Sequence, residues 1–240
     1  MPSQPKVLFV LTSQGKLGDT GKPTGWYLPE MAHPYEVLAE HTQITVASPA
    51  GGEAPLDPSS VEAFKEDPAS TKFLKHQESL WKNTQKLESF LGHAGEYEAI
   101  FFVGGHGPMF DLATDETSHK LINEFYAHNK IVSAVCHGPA AIANVKLPSG
   151  EYLIAGQNVT GFSNSEEDAV GMSQFMPFML EDALNKASGG KFVKADNWAK
   201  KVVVSRDGRL ITGQNPASAA GVGQAIYDAI FGELTTRDEL

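Results

Sequence analysis

Four apolar runs set the strongest limit on the fold: "KVLFVLT" (6–12), "QITVASP" (43–49), "YEAIFFVGG" (97–105) and "KIVSAVC" (130–136). They are rich in β-branched and aromatic residues and do not alternate with polar ones. A strand with one wet face alternates, so unbroken apolar strands belong to a sheet covered on both faces. Parallel strands also need long crossovers, and the stretches between the runs have helical character. "WYLPEMAHPYEVLAEH" (26–41) and "DETSHKLINEFYAHN" (115–129) carry apolar residues at spacings of three and four and are predicted crossover helices. The stretch 58–93 is too long for a minimal crossover and is expected to form two or three extra helices, an insertion over about 57–93 that borders a site. Further on, the "NVT" at Asn158 is read as strand sequence, and "FMPFMLEDALNKAS" (175–188) as a helix. Asp207-Gly208 marks a hairpin within 200–213, and "NPASAAGVGQAIYDAIFGEL" closes the chain as a small-residue helix. The expected class is α/β, open and mostly parallel.

With 240 residues, 41% of them hydrophobic, and no linker-like stretch, the chain is expected to form a single domain over 1–240. Its 19 basic and 29 acidic residues leave a net charge of −10, which argues against nucleic acid and anionic lipid as partners. No segment approaches the ~20 apolar residues of a membrane span. The start reads as a strand rather than a leader, and the final "RDEL" as a charged tail. One cysteine without a pair suits a reducing compartment, so a cytoplasmic location is expected. The eight histidines do not reach a metal spacing with cysteine, and neither metal nor cofactor is expected.

That single cysteine, Cys136, ends the fourth apolar run, where ligands bind in such sheets, and "HGPAAIANV" after it can start a helix. A sharp strand-to-helix turn would expose the side chain and aim helix N–H groups at the same space. Gly138 permits close backbone approach and Pro139 suits a first helical turn. The alternative is an inert thiol buried at a strand end. A free thiol titrates near pH ~8.5, and a helix N-terminus contributes ~0.3–1 kcal/mol, so a second group such as His137 must help to activate it. "GGHGPMFDL" (104–112) follows the third strand. It reads either as a tight turn or, through the N–H of Gly104 or Gly105 with that of His137, as an oxyanion hole. It lacks the Lys-Ser/Thr ending of a phosphate loop, and "GVGQAI" (221–226) reads as helix packing.

Taken in order, "KVLFVLTS", "TGWYLPEMAHPYEVL", "FFVGGHGPMFDL", "VSAVCHGPA", "VTGFSNSEE" and "DGRLITGQNPASA" resemble the DJ-1/PfpI superfamily, and within it the glyoxalase III and heat-shock chaperone branch. The resemblance spans nearly the whole chain. It implies a flavodoxin-like three-layer sandwich, usually a homodimer, with a cysteine nucleophile, a histidine beside it and a glutamate from the first helix. By position these are Cys136, His137 and Glu30. A further acid implied to orient the histidine lies in "GFSNSEED", with Glu167 preferred over Glu166 and Asp168. Gly104, Gly105 and His106 fall at the substrate-binding turn. The implied activity converts a small 2-oxoaldehyde, methylglyoxal, to D-lactate through a cysteine hemithioacetal without glutathione. A cysteine peptidase or deglycase, and a holding chaperone or redox sensor, are the alternatives.

Overall fold

The computed structural model describes residues 4–232. The "RDEL" tail lies outside them. Seven strands form one sheet: β1 (Lys6–Val10), β2 (Gln43–Ser48), β3 (Gln85–Lys86), β4 (Ala99–Phe102), β5 (Ile131–Val135), β6 (Val202–Ser205) and β7 (Leu210–Gly213). Their order is β3-β2-β1-β4-β5-β7-β6, parallel except for the β6–β7 hairpin. β4 and β5 are buried along their whole lengths, as unbroken apolar runs require. The turn at 206–209 connects β6 and β7, where Asp207-Gly208 signalled it.

The helices are α1 (Leu28–Leu38), α2 (Pro58–Ala63), α3 (Pro68–His76), α4 (Glu78–Lys82), α5 (Glu116–Ala127), α6 (Ala140–Ala143), α7 (Asn164–Ala169), α8 (Leu180–Ala187) and α9 (Ala219–Phe231). They cover both faces of the sheet, with α1 packed on α9, and α5 on β4 and β5. α2, α3 and α4 fill the stretch between β2 and β3. Asp57 and Asp67 cap α2 and α3, with side chains accepting from Ser59 N and Ser70 N. This segment braces the start of α1. Trp26 N donates to Pro55 O at 2.9 Å, and Leu28 N to Ser60 Oγ at 3.1 Å.

Two local expectations fail. The "NVT" at Asn158 does not form a strand; Val159 makes only an isolated bridge to Phe192, because the sheet edge beyond β7 is taken by β6. The helix expected over 175–188 begins only at Leu180, after Pro177 has broken its first turn.

Candidate active site

β4 and β5 run side by side, and their carboxyl ends deliver the two turns that carry the chemistry. At the end of β5, Cys136 turns the chain with a left-handed φ of 59°, a conformation costing of order 1–3 kcal/mol for a residue with a β-carbon. Backbone bonds hold it there. Cys136 N donates to Gly213 O at 2.9 Å, Phe162 N to Cys136 O at 2.8 Å, and Gly138 N to Val135 O at 2.8 Å. Gly138 is required by the turn, because a β-carbon there would lie 2.3 Å from Phe102 O.

Cys136 Sγ lies 3.4 Å from His137 Nδ1. On its other side, His137 Nε2 reaches Glu167 Oε2 at 2.5 Å. Glu167 Oε1 meets His106 Nε2 at 2.7 Å, so one carboxylate bridges two imidazoles whose ring centres are 4.3 Å apart. Burial pushes the Glu167 carboxyl up, but His137 and His106 overcome this and hold it well below the usual carboxylate range. Burial pushes His137 down, with Glu167 acting against it, so the imidazole stays neutral at pH 7. A carboxylate only accepts, so Nε2 of each histidine carries the proton, and Nδ1 of His137 faces the thiol as an acceptor.

The neighbours of Glu167 do other work. Glu166 caps α7 through Ser163, and also accepts from Trp198 N at 2.9 Å, Gln214 Nε2 at 3.1 Å and Asn215 Nδ2 at 2.9 Å. It thereby anchors the loop that carries Trp198. Asp168 accepts from Ser173 Oγ. Of the three acids, only Glu167 touches His137.

Glu30, in the first turn of α1, is fully buried, and no group meets hydrogen-bond geometry to either of its oxygens. Burial raises its pKa well above the usual range; the adjacent Cys136 thiol and Gly104 N–H oppose this only in part. Burial and the nearness of Glu30 likewise push the Cys136 thiol well up. The expected thiolate activation by a helix N-terminus therefore fails, since α6 has only four residues and the thiol is 4% exposed. Glu30 and Cys136 titrate as a pair that keeps a proton at neutral pH.

Gly104 lies against this pair, and its carbonyl accepts from Tyr27 N at 3.1 Å, which fixes the start of α1 beside the elbow. A β-carbon at Gly104 would sit 2.2 Å from Glu30 Oε2 and 2.5 Å from Val135 O. Gly104→Ala is expected to lose about 1–3 kcal/mol of stability by overpacking, together with activity. Thermal unfolding and turnover at the parent's level would refute this close approach.

Gly105 and His106 line the cavity above the thiol, with Tyr27, Phe162 and Trp198. Among the described residues, neither Gly105 N nor His137 N donates to a backbone carbonyl, which leaves both for a ligand oxygen. The cavity holds about 70 Å³, against ~300–1,000 Å³ for sites that take drug-sized ligands. Phe162 lies tilted between His137 and Trp198, with ring centres 4.5 Å and 5.8 Å away. Sequence reasoning missed the link from His106 to Glu167, and the walls Tyr27, Phe162 and Trp198. Tyr27 and Phe162 lie within the quoted motifs, whereas Trp198 stands in a polar loop with no local signal.

His106, His137 and Glu167 offer ligand atoms within 4.8 Å of one another, a convergence that spacing along the chain did not show. Their mutual hydrogen bonds occupy those atoms, so a metal ion would have to displace them.

The depressed pKa of Glu167 makes it a stabilising group above the unfolded glutamate pKa of about 4.3, and this stabilisation is lost as the pH falls below that value. The stability gap between parent and Glu167→Gln is expected to shrink from about pH 6 towards about pH 3. A gap independent of pH, measured by denaturant titration, would show that the carboxylate is not held by the histidines.

A model of the DJ-1/PfpI family matches residues 28–229. Glyoxalase 3 of Candida albicans is 32% identical over 238 residues, covering 93% of this chain and 98% of that protein. The Rapid Encystment Protein 24 kDa of Francisella tularensis superposes with a TM-score of 0.88 at 39% identity, covering 95% of this chain and 99% of the other. The crystal structure of C. albicans glyoxalase III gives 0.83 at 30% identity, with 94% and 97% covered.

Proposed function

The chain belongs to the DJ-1/PfpI family, and from that premise we propose that it is a glutathione-independent glyoxalase that converts methylglyoxal to lactate on Cys136. One observation carries the reading: the thiol sits in a cavity of about 70 Å³ between a neutral imidazole nitrogen and a buried carboxyl without a hydrogen-bond partner. The relatives named as glyoxalases support the substrate class.

In the first step the sulfur bonds to the aldehyde carbon, and its proton passes to His137 Nδ1 and on to the carbonyl oxygen, giving a hemithioacetal. The N–H groups of Gly105 and His137 stabilise charge on that oxygen. Glu30, protonated in its buried site, gives its proton to the ketone oxygen while its other oxygen takes the proton from the former aldehyde carbon, which forms the enediol. The reverse exchange then protonates the neighbouring carbon and takes the proton from the hydroxyl on the former aldehyde carbon. The product of that shift is a lactyl thioester, and water cleaves it to lactate and free thiol. Glu167 is a positioning residue that sets the tautomer of His137.

Acyl transfer to peptides leaves Glu30 without a role. Redox sensing needs an exposed thiol of low pKa, and Cys136 is buried with its pKa pushed up. The test is to incubate purified protein with methylglyoxal in glutathione-free buffer. Lactate accumulating in proportion to enzyme is the expected result; methylglyoxal consumed without lactate would overturn the assignment.

A further inference from the structure

The chain has only three arginines among its 19 basic residues, and two of them, Arg206 and Arg209, line a single cavity of about 380 Å³. This cavity lies at the amino ends of β5 and β7, the opposite end of the sheet from Cys136. One wall is apolar, formed by Val132, Leu153 and Leu210. Arg206 lies over the Tyr126 ring at 4.4 Å from its centre, and its Nε is buried without a hydrogen-bond partner. Arg209 donates to Asn129 Oδ1. Among the described residues, neither guanidinium is paired with a carboxylate. Lys130, also in the lining, is paired with Glu98, and Asp207 is the one acid of the lining.

Backbone strain adds an independent observation. Among the described residues, the non-glycine positions with positive φ fall into two groups. Cys136 and Trp198 are at the candidate active site. Asn129, Arg206 and Asp207, with φ of 57°, 55° and 54°, are at this cavity. Asparagine and aspartate tolerate such backbone, whereas arginine does not favour it. At Asn129, which ends α5, and at Asp207, in the hairpin turn, local structure accounts for the conformation, which leaves Arg206 as the strained position at the cavity.

The geometry points to a binding site for a small organic phosphate, a phosphomonoester whose dianion takes the forks of Arg206 and Arg209 and whose carbon body lies on the Val132, Leu153 and Leu210 wall. Arginine's planar fork matches phosphate oxygens two at a time, which the lysines that dominate the rest of this chain cannot do. Two unpaired guanidiniums in a protein of net charge −10 also give the cavity a local sign opposite to that of its surroundings.

Calorimetric titration with phenyl phosphate and with inorganic phosphate, at one ionic strength, tests this. The expected result is saturable binding at one site per chain, tighter for phenyl phosphate. Arg206→Gly and Arg209→Met should each weaken it at least about tenfold, the scale of one lost charge-assisted contact, while lactate formation without ligand stays at the parent rate. Arg206→Gly should not lower Tm, because glycine accepts the left-handed backbone. The proposal is overturned if the parent shows no saturable heat, or if either variant binds like the parent. It is equally overturned if inorganic phosphate binds as tightly as phenyl phosphate, or if the variants change the association state of the chain instead of phosphate affinity.

Discussion

Cys136→Ala is expected to abolish lactate formation from methylglyoxal and to leave the fold intact. The thiol is the only one in the chain, so no second nucleophile can substitute. Its side chain is small and already in strained backbone, and its removal also relieves the buried Glu30 of a competing acid. The stability change should therefore stay within about 1–2 kcal/mol. Cys136→Gly separates strain from chemistry. It should be equally inactive yet more stable than the alanine variant by about 1 kcal/mol, because glycine carries no penalty at a φ of 59°. Turnover above a trace in either variant would rule out covalent catalysis. A glycine variant less stable than the alanine one would show that the elbow is unstrained.

Glu30→Gln is expected to lose a factor of ~10²–10⁴ in turnover, the usual worth of a general acid–base group, while still adding the thiol to the aldehyde. Intact-protein mass after reductive trapping should show the hemithioacetal adduct accumulating on Cys136. Stability should move the other way. A buried carboxyl with a raised pKa stays protonated when folded but ionises when unfolded. It therefore costs the parent stability as the pH rises above about 4.3. Glutamine carries no such cost, so the variant should be at least as stable as the parent at neutral pH, and the difference should widen with rising pH. A structural glutamate would give the reverse pattern, with stability lost and turnover kept. That outcome would move the proton transfer to another group.

The legible part of the site was its local part. Cys136, His137 and Gly138 are consecutive, and the end of an apolar run marks their place in the sheet. Glu30 was legible only through the resemblance, since one glutamate at a helix start is ordinarily solvated; what buries it is the packing of the Trp26–Leu28 segment against Pro55, Ser60 and Gly104. The choice among Glu166, Glu167 and Asp168 rests on the direction in which each residue of α7 faces. A helix turns about 100° per residue, so adjacent acids meet different neighbours.

From the sequence by itself follow the α/β class, the parallel core strands and the placement of the thiol at a strand end, because the burial of a strand's two faces is written in the residues of that strand. Tertiary structure decided what those residues meet. His106 and His137 converge on Glu167 from 61 and 30 residues away, and Trp198 closes the cavity from a loop held by Glu166. Tertiary structure also decided the state of the thiol. A pKa depends on desolvation and on neighbouring charge, and the charge here comes from Glu30 on α1 and from Glu166 and Glu167 on α7 rather than from the helix that follows Cys136. The gathering of two rare arginines into one cavity was decided in the same way. Their spacing in the hairpin is visible in the chain, but the wall of Tyr126, Val132 and Leu153 that faces them exists only once the sheet has assembled.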